Sequence, residues 1–141
     1  MSVKWSELYR WAVVEVEFGT PKKYVDAPKD CVDLLGKYPY GINTDNEFSM
    51  RHMAIVVSKN LTNSSITVIP LTETKYGDAE NSSRVILEYQ KYKYFLYKDT
   101  TILIDNIMTI EKKVRVKRIV LNWIPEPIRR KIKRAMYESF K

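Results

Sequence analysis

The sequence predicts a mainly β fold of the α+β class, a small barrel or strongly bent sheet of antiparallel strands that ends in an amphipathic helix. Short runs of β-branched and alternating apolar residues recur before Glu111, and after Pro125 the hydrophobic period becomes helical. Strands come first and a helix last, which is not the alternation typical of a parallel sheet. With 141 residues, of which 45% are hydrophobic, the chain is predicted to form one domain over residues 1–141.

Five apolar runs are predicted to be strands. Residues 11–18 alternate apolar and acidic side chains at their end, and Gly19 and Pro21 stop the run. Residues 53–58 and 65–71 are joined by a short turn-rich segment that contains Asn60 and Asn63, which predicts a hairpin. Residues 83–89 alternate on one face, and residues 101–107 form a further apolar run.

Two segments do not follow the strand pattern. Residues 20–50 contain three prolines and two glycines and are predicted to be a long loop insertion, with at most one helical turn at residues 30–35. Loops of this length are commonly functional, so the segment is either a lid or binding loop or a mere insertion. Residues 126–140 place Ile128, Ile132 and Ala135 on one face and basic residues largely off it, which predicts an amphipathic basic helix.

Charge is distributed unevenly along the chain. From Glu111 onward there are 11 basic and 3 acidic residues, against 13 and 14 before it, so the formal charge of +7 lies in the last quarter. A basic surface of this kind favours a polyanionic partner such as nucleic acid. One cysteine, Cys31, excludes an internal disulfide, and no apolar run is long enough to span a bilayer. We therefore expect a cytoplasmic protein that does not act at a membrane.

The residue types limit the chemistry. The chain has one histidine and one cysteine, far apart, so no metal site with the usual spacing is expected, and no cofactor is predicted. Arg51, His52 and Thr72 instead stand at the ends of predicted strands. Arginine binds phosphate, histidine transfers protons near neutral pH, and a threonine hydroxyl donates to phosphate oxygens. These three residues are candidate catalytic groups for metal-free chemistry on a phosphodiester, although each could also be an ordinary strand residue.

Three segments resemble MazF/PemK-like toxins. Residues 47–58 (EFSMRHMAIVVS) are similar to the family's segment that starts with glutamate and passes through arginine and proline into an apolar strand. Residues 67–72 (TVIPLT) resemble the next strand, which ends in the catalytic threonine. Residues 99–112 (DTTILIDNIMTIEK) resemble the later aspartate-serine strand and its polar continuation. The segments occur in the family's order, and the resemblance extends from Trp11 to about Arg118.

This resemblance implies an SH3-like barrel, a homodimer, and a metal-independent endoribonuclease that cleaves single-stranded RNA, usually mRNA. It also implies a cognate antitoxin, either a protein or an RNA. The product would be a 2′,3′-cyclic phosphate with a free 5′-hydroxyl. The catalytic residues would be Arg51, His52 and Thr72. Six further residues are predicted to bind substrate: Glu47, Ser49, Ser58, Lys59, Thr74 and Lys75.

The sequence departs from the family pattern at the proposed catalytic position. The family's arginine falls on His52 in the ungapped match, with Arg51 one place earlier, and the following proline is Met53. Successive side chains of a strand point to opposite faces, so Arg51 and His52 reach one phosphate together only if the chain bends there. We expect such a bend. The alternative is a non-catalytic module on the same barrel that binds RNA or a protein.

Two other features are less specific. Tyrosines and lysines interleave through residues 89–98 and could stack unpaired bases, although packing along a strand explains them as well. The basic helix at residues 126–140 could bind the RNA backbone, bind an acidic antitoxin, or simply be solvated.

Overall fold

The computed structural model describes residues 3–21, 42–43, 51–60 and 64–140, and of residues 20–21, 42–43 and 113–114 it describes only the backbone. The strands are β1 (Val13–Glu17), β2 (Thr20–Pro21), β3 (Ile42–Asn43), β4 (Arg51–Lys59), β5 (Ser65–Glu73), β6 (Arg84–Leu87), β7 (Thr100–Leu103), β8 (Met108–Glu111) and β9 (Val116–Leu121). The helices are α1 (Lys112–Arg115) and α2 (Glu126–Ser139), and 3₁₀ turns occur at Trp5–Glu7, Asp78–Glu80 and Ile104–Asn106.

Within the described residues, seven of these strands form one antiparallel sheet in the order β6-β7-β5-β4-β1-β9, with β8 also paired to β5. One C-terminal helix of 14 residues packs on it. This architecture confirms the predicted fold class, a mainly β, barrel-like sheet with a C-terminal helix. The predicted hairpin is also confirmed, because β4 and β5 pair in antiparallel register from Ala54 and Pro70 to Lys59 and Ile66.

Both faces of the sheet are buried over much of its area. On one face, here called the helix face, Val13, Ile55 and Ile69 pack in the same core as Ile128 and Ile132 of α2. On the opposite face, Val14, Val16, Ala54, Val56 and Val68 form a second core together with residues of the N-terminal segment. Burial on both sides explains why the centre of β4 is continuously apolar rather than alternating.

Helix α2 begins where the sequence predicts. Pro125 precedes it in an extended conformation, and Pro127 occupies its first turn, where a missing N–H costs nothing. Ile128, Ile132 and Ala135 are buried on one side, as the helical period requires. At its C-terminal end the Ser139 hydroxyl donates to the Ser83 hydroxyl at 2.8 Å, which fixes the helix against the start of β6.

Some predicted boundaries are wrong. The strand predicted at residues 101–107 ends at Leu103, because Ile104–Asn106 turn into a 3₁₀ helix. The strand predicted at residues 83–89 ends at Leu87. Strands β8 and β9 were not predicted, because β8 has only two apolar residues and Lys117 and Arg118 interrupt the apolar run of β9. Of the long insertion at residues 20–50, the structure describes the paired strands β2 and β3. Cys31 and the helical turn expected at residues 30–35 lie outside the described residues.

No helix among the described residues is long and apolar enough to cross a membrane.

Candidate active site

The candidate residues lie mostly at one end of the sheet. Because β4 and β5 are antiparallel, the start of β4, with Arg51 and His52, is adjacent to the end of β5, with Thr72. The β4–β5 ladder ends at Ala54 and Pro70, where Pro70 has no N–H to donate. His52 and Thr72 each lie two residues beyond that last pair, so both stand near an end of their strands and on the same face of the sheet.

Arg51 and His52 point to opposite faces of the sheet. Their pairing with β1 runs without a register shift from Ile55 to Arg51, which preserves the alternation of side chains. On the helix face, the Arg51 guanidinium forms an ion pair with Glu15. On the opposite face, the His52 ring lies 6.4 Å from the Phe18 ring, between centroids. The bend that was expected to direct both side chains at one phosphate is not present in this ladder.

Thr72 belongs to the same face as His52. It lies directly opposite Thr101 on β7, and Thr101 in turn lies opposite Ile86 on β6. His52 lies opposite Val16 on β1, a residue of the core on that face. Directly opposed residues of antiparallel strands project to one face. Val16 and His52 form one opposed pair, and Thr72, Thr101 and Ile86 form a second opposed set on the same face; the two sets together are here called the cross-strand row.

Thr101 anchors a hydroxyl and carboxylate network beside Thr72. Its side chain is fully buried, and its Oγ1 lies 2.9 Å from both Thr74 Oγ1 and Asp78 Oδ2. Asp78 Oδ2 also accepts a hydrogen bond from the Lys75 backbone N–H at 2.8 Å. That backbone bond, together with the Thr101 hydroxyl and the charge of Arg84, lowers the pKa of Asp78 although burial opposes the shift. The carboxylate is thus ionised at neutral pH and fixes residues 74–78.

The backbone carbonyl of Asp99 also fixes residues 74–78, because it accepts a hydrogen bond from the Thr74 backbone N–H at 3.1 Å. Asp99 also accepts the backbone N–H of Tyr89 through its side chain at 2.8 Å. Thr74 and Lys75, both predicted to bind substrate, therefore directly follow the strand that carries Thr72, in a loop with defined backbone bonds. Lys75 is exposed to solvent.

Arg51 has a different environment. Glu15 lies between two arginines, since Arg118 Nε donates to its Oε2 at 2.5 Å while Arg51 contacts its Oε1. The bond to Glu15 raises the pKa of Arg118. The Arg51 side chain is 51% exposed. Arg51 is therefore held in a surface ion-pair cluster on the helix face, away from Thr72.

Ser58 and Lys59 lie at the far end of β4. Seven residues of strand, at ~3.3 Å each, separate Ser58 from Arg51 by roughly 23 Å. The Lys59 ammonium donates to the carbonyls of Trp5 and Leu8 at 2.9 and 2.7 Å, and burial lowers its pKa. Ser58 lines a separate cleft with Arg10 and Trp11 on the helix face. The structure does not bring these two predicted substrate-binding residues to the row.

Glu47 and Ser49 lie outside the described residues. In the tyrosine-rich segment, Tyr89, Tyr92 and Phe95 pack against the core of the helix face, whereas Tyr94 and Tyr97 are exposed. Core packing therefore accounts for part of the segment. Among described residues, no group of three or more His, Cys, Asp or Glu side chains could hold a metal ion.

Sequence reasoning missed Thr101, Asp78 and Phe18. One sequence feature could have indicated Thr101: it is a hydroxyl residue at the start of an apolar run that ends at Ile104. No sequence feature could have indicated Asp78, because its role depends on the position of β7 beside residues 74–78. Phe18 was assigned to a strand without its contact to His52.

The sheet forms a small antiparallel barrel, and most of the candidate polar residues lie at the ends of its strands. The model of the PemK-like, MazF-like toxins of type II toxin–antitoxin systems matches residues 39–140. The chain belongs to this family. Its members are generally endoribonucleases, and membership of a type II system implies a protein antitoxin as partner.

The fold agrees with that assignment. The solved structure described as "Crystal structure of Mtb toxin" is similar with a TM-score of 0.51 and 16% sequence identity. The similarity covers 63% of this chain and 92% of the other. At this identity the likeness concerns the fold alone. No curated protein sequence matches the chain.

Proposed function

We propose that this toxin is a metal-independent endoribonuclease whose site is the His52 and Thr72 end of the cross-strand row. The proposal is carried by the pairing of Ala54 with Pro70, because His52, which falls at the position of the family's arginine, and Thr72 each lie two residues beyond that pair and therefore on one face of the sheet. Arg51 faces the other side of the sheet and pairs with Glu15. The proposal therefore assigns the reaction to His52 and Thr72 rather than to Arg51.

The reaction is an attack of the RNA 2′-hydroxyl on the adjacent phosphorus. The attacking oxygen loses its proton, a pentacoordinate phosphorus forms, and the bond to the 5′-oxygen breaks as that oxygen takes up a proton. The products are a 2′,3′-cyclic phosphate and a 5′-hydroxyl. An imidazole can perform either proton transfer, with water performing the other. We assign one of these transfers to His52.

Thr72 stabilises the charge that develops on phosphorus. Its hydroxyl is partly exposed and can donate to a non-bridging oxygen, which gains negative charge in the transition state. Thr74 and Lys75 follow in the loop that Asp78 and Thr101 hold. We propose that Lys75 supplies the cation that binds the substrate phosphate. Preorganised donors of this kind stabilise the transition state because they need no reorientation during the reaction.

We further propose that the active form is a homodimer acting on single-stranded RNA, usually mRNA, and that the antitoxin restrains it. The family supports both features, since a protein antitoxin and dimerisation are usual in type II systems.

A second candidate function is RNA or protein binding without cleavage. It is favoured by the histidine at the family's arginine position and by the engagement of Arg51 with Glu15. The two functions differ in their products. Purified protein incubated with unstructured RNA in a chelator should yield discrete fragments with 2′,3′-cyclic phosphate ends if the first is right. RNA that is bound and recovered intact would support the second.

A further inference from the structure

A tight turn follows the strand that carries Thr72. The Asp78 backbone N–H donates to the Lys75 carbonyl at 3.2 Å, which closes a turn over residues 75–78. Gly77, the third residue of the turn, has φ 91° and ψ −11°, the values of a type II turn, which glycine adopts without strain. The Asp78 carboxylate also accepts the Lys75 backbone N–H at 2.8 Å. Two hydrogen bonds thus join the ends of the turn, so its conformation is fixed by the protein itself.

Tyr76 occupies the second position of this turn, and its side chain is fully exposed. Its relative exposure is 107%, against 63% for Tyr94 and 49% for Tyr9. The rings of those two tyrosines contact aromatic neighbours, because Tyr94 lies 5.1 Å from Phe95 and Tyr9 lies 5.6 Å from Trp123, between centroids. In the part of the chain that the structure describes, the Tyr76 ring has no such neighbour. Both of its faces are therefore open to a planar ligand.

The turn lies on the face of the sheet that carries Thr72. Asp78 Oδ2 lies 2.9 Å from the Thr101 hydroxyl, and Thr101 projects to the same face as Thr72, the residue directly opposite it. Tyr76 is four residues beyond Thr72 in the chain, so their Cα atoms are at most ~14 Å apart, and the turn shortens that separation. A nucleotide next to a phosphate at Thr72 is therefore within reach of the Tyr76 ring.

We propose that Tyr76 stacks on an unpaired base of the RNA strand whose scissile phosphate lies at Thr72. This inference rests on the proposed function, which places the RNA at Thr72. An aromatic ring can stack on any base, and such stacking strengthens the binding of single strands. The fixed turn reduces the entropy that is lost when a base orders the ring. A base is favoured over a side chain of a protein partner, because the ring stands on the face that carries His52 and Thr72.

The test measures affinity for 2′-O-methyl RNA, which cannot be cleaved, by fluorescence anisotropy. Tyr76→Ala removes the ring, and Tyr76→Phe retains it. Tyr137→Ala is the matched control, because it removes a ring that is 68% exposed on α2, which packs on the other face of the sheet. Thermal unfolding of the three variants checks their stability, which Tyr76→Ala should leave unchanged because the side chain is fully exposed.

A second measurement locates the stacked base. Oligonucleotides that lack the base of one nucleotide, a different one in each, are compared for wild type and Tyr76→Ala. At the stacked position, removal of the base and removal of the ring eliminate the same contact. The two losses of affinity should therefore be non-additive at that position and additive elsewhere.

We expect Tyr76→Ala to weaken binding of the intact oligonucleotide about tenfold, within the range for one stacked base. Tyr76→Phe and Tyr137→Ala should stay within about twofold of wild type. Unchanged affinity of Tyr76→Ala, an equal loss in Tyr137→Ala, or additive losses at every position would overturn the assignment, as would a wild-type protein that binds no RNA. Binding that depends on Tyr76 in a protein that leaves natural RNA uncut would refute the proposed function alone, and Tyr76 would then be the base-stacking residue of a binding module.

Discussion

Thr72 and Thr101 lie directly opposite each other on the antiparallel strands β5 and β7. Thr101 is fully buried, whereas Thr72 remains partly exposed at the same level of the sheet. We therefore propose separate roles for the two hydroxyls. Thr101 contacts Thr74 and Asp78 and orders the loop, while Thr72 is partly exposed to solvent. Mutation of the two threonines should separate catalysis from stability.

For Thr72→Val, we expect cleavage to fall by about 10² or more, because the change removes a donor to a developing oxyanion while keeping the shape of the side chain. Single-turnover cleavage of a labelled RNA gives the rate, and urea unfolding shows whether stability is retained. A folded Thr72→Val protein that cleaves at the wild-type rate would place the site elsewhere.

For Thr101→Val, we expect the free energy of unfolding to fall by roughly 1–3 kcal/mol, because the buried network around Asp78 loses a hydroxyl. The loss of cleavage should be smaller than for Thr72→Val when the folded fraction is taken into account. Urea denaturation followed by tryptophan fluorescence measures the stability. Equal stability of Thr101→Val and wild type would show that the hydrogen bonds to Asp78 and Thr74 contribute little.

Much of this arrangement could be predicted from local sequence. The alternation in residues 13–17 and the apolar runs of β4 and β5 are local, and they gave the hairpin. The bend expected at Arg51 and His52 was wrong, because β4 pairs with β1 there without a register shift. The partnership of Thr72 and Thr101 was not predictable in this way, because it depends on the register between strands 29 residues apart. The same holds for Lys59, whose ammonium binds carbonyls more than 50 residues away. Short strands such as β8 carry too few apolar residues to be recognised.

For Arg51→Ala, we expect less than about a tenfold loss of cleavage, because Arg51 lies on the helix face and not beside Thr72. The cost in stability should also be small, less than ~1 kcal/mol, since Arg51 is half exposed and Glu15 keeps Arg118 as a partner. Cleavage rates and urea unfolding test both expectations. A loss of about 10² or more in a folded Arg51→Ala protein would mean that the guanidinium leaves Glu15 to bind the phosphate.

Asp78 should make the protein sensitive to acid. The pKa of Asp78 is lower in the folded protein than in the unfolded chain. The stability that its carboxylate contributes is therefore fully present above the unfolded pKa of ~3.9, and it is lost as pH falls through the pKa of the folded protein. Between neutral pH and about pH 4, the stability difference between wild type and Asp78→Asn should be constant. Below that range it should shrink. Urea unfolding at a series of pH values measures it, and a difference that grows on acidification would contradict the assignment.

Cleavage should survive chelation, because the proposed reaction uses an imidazole, a hydroxyl and a fixed cation. The rate with excess chelator should stay within about twofold of the rate with added magnesium. Gel analysis of RNA fragments under both conditions measures it. Strict dependence on magnesium or manganese would mean that the catalytic residues are carboxylates and not the groups named here.

The pH dependence of cleavage tests His52 directly. If its imidazole transfers a proton, the rate should change between roughly pH 5 and 8, the range in which histidine alone among ordinary side chains changes charge. His52→Gln keeps a hydrogen-bonding group but cannot titrate, so the rate should fall strongly and the inflection should disappear. His52→Arg restores the family's residue at a position on the same face of the sheet as Thr72, and it should recover part of the activity with a flat pH profile because guanidinium stays charged. A flat wild-type profile together with an active His52→Gln protein would show that the imidazole only packs against Phe18.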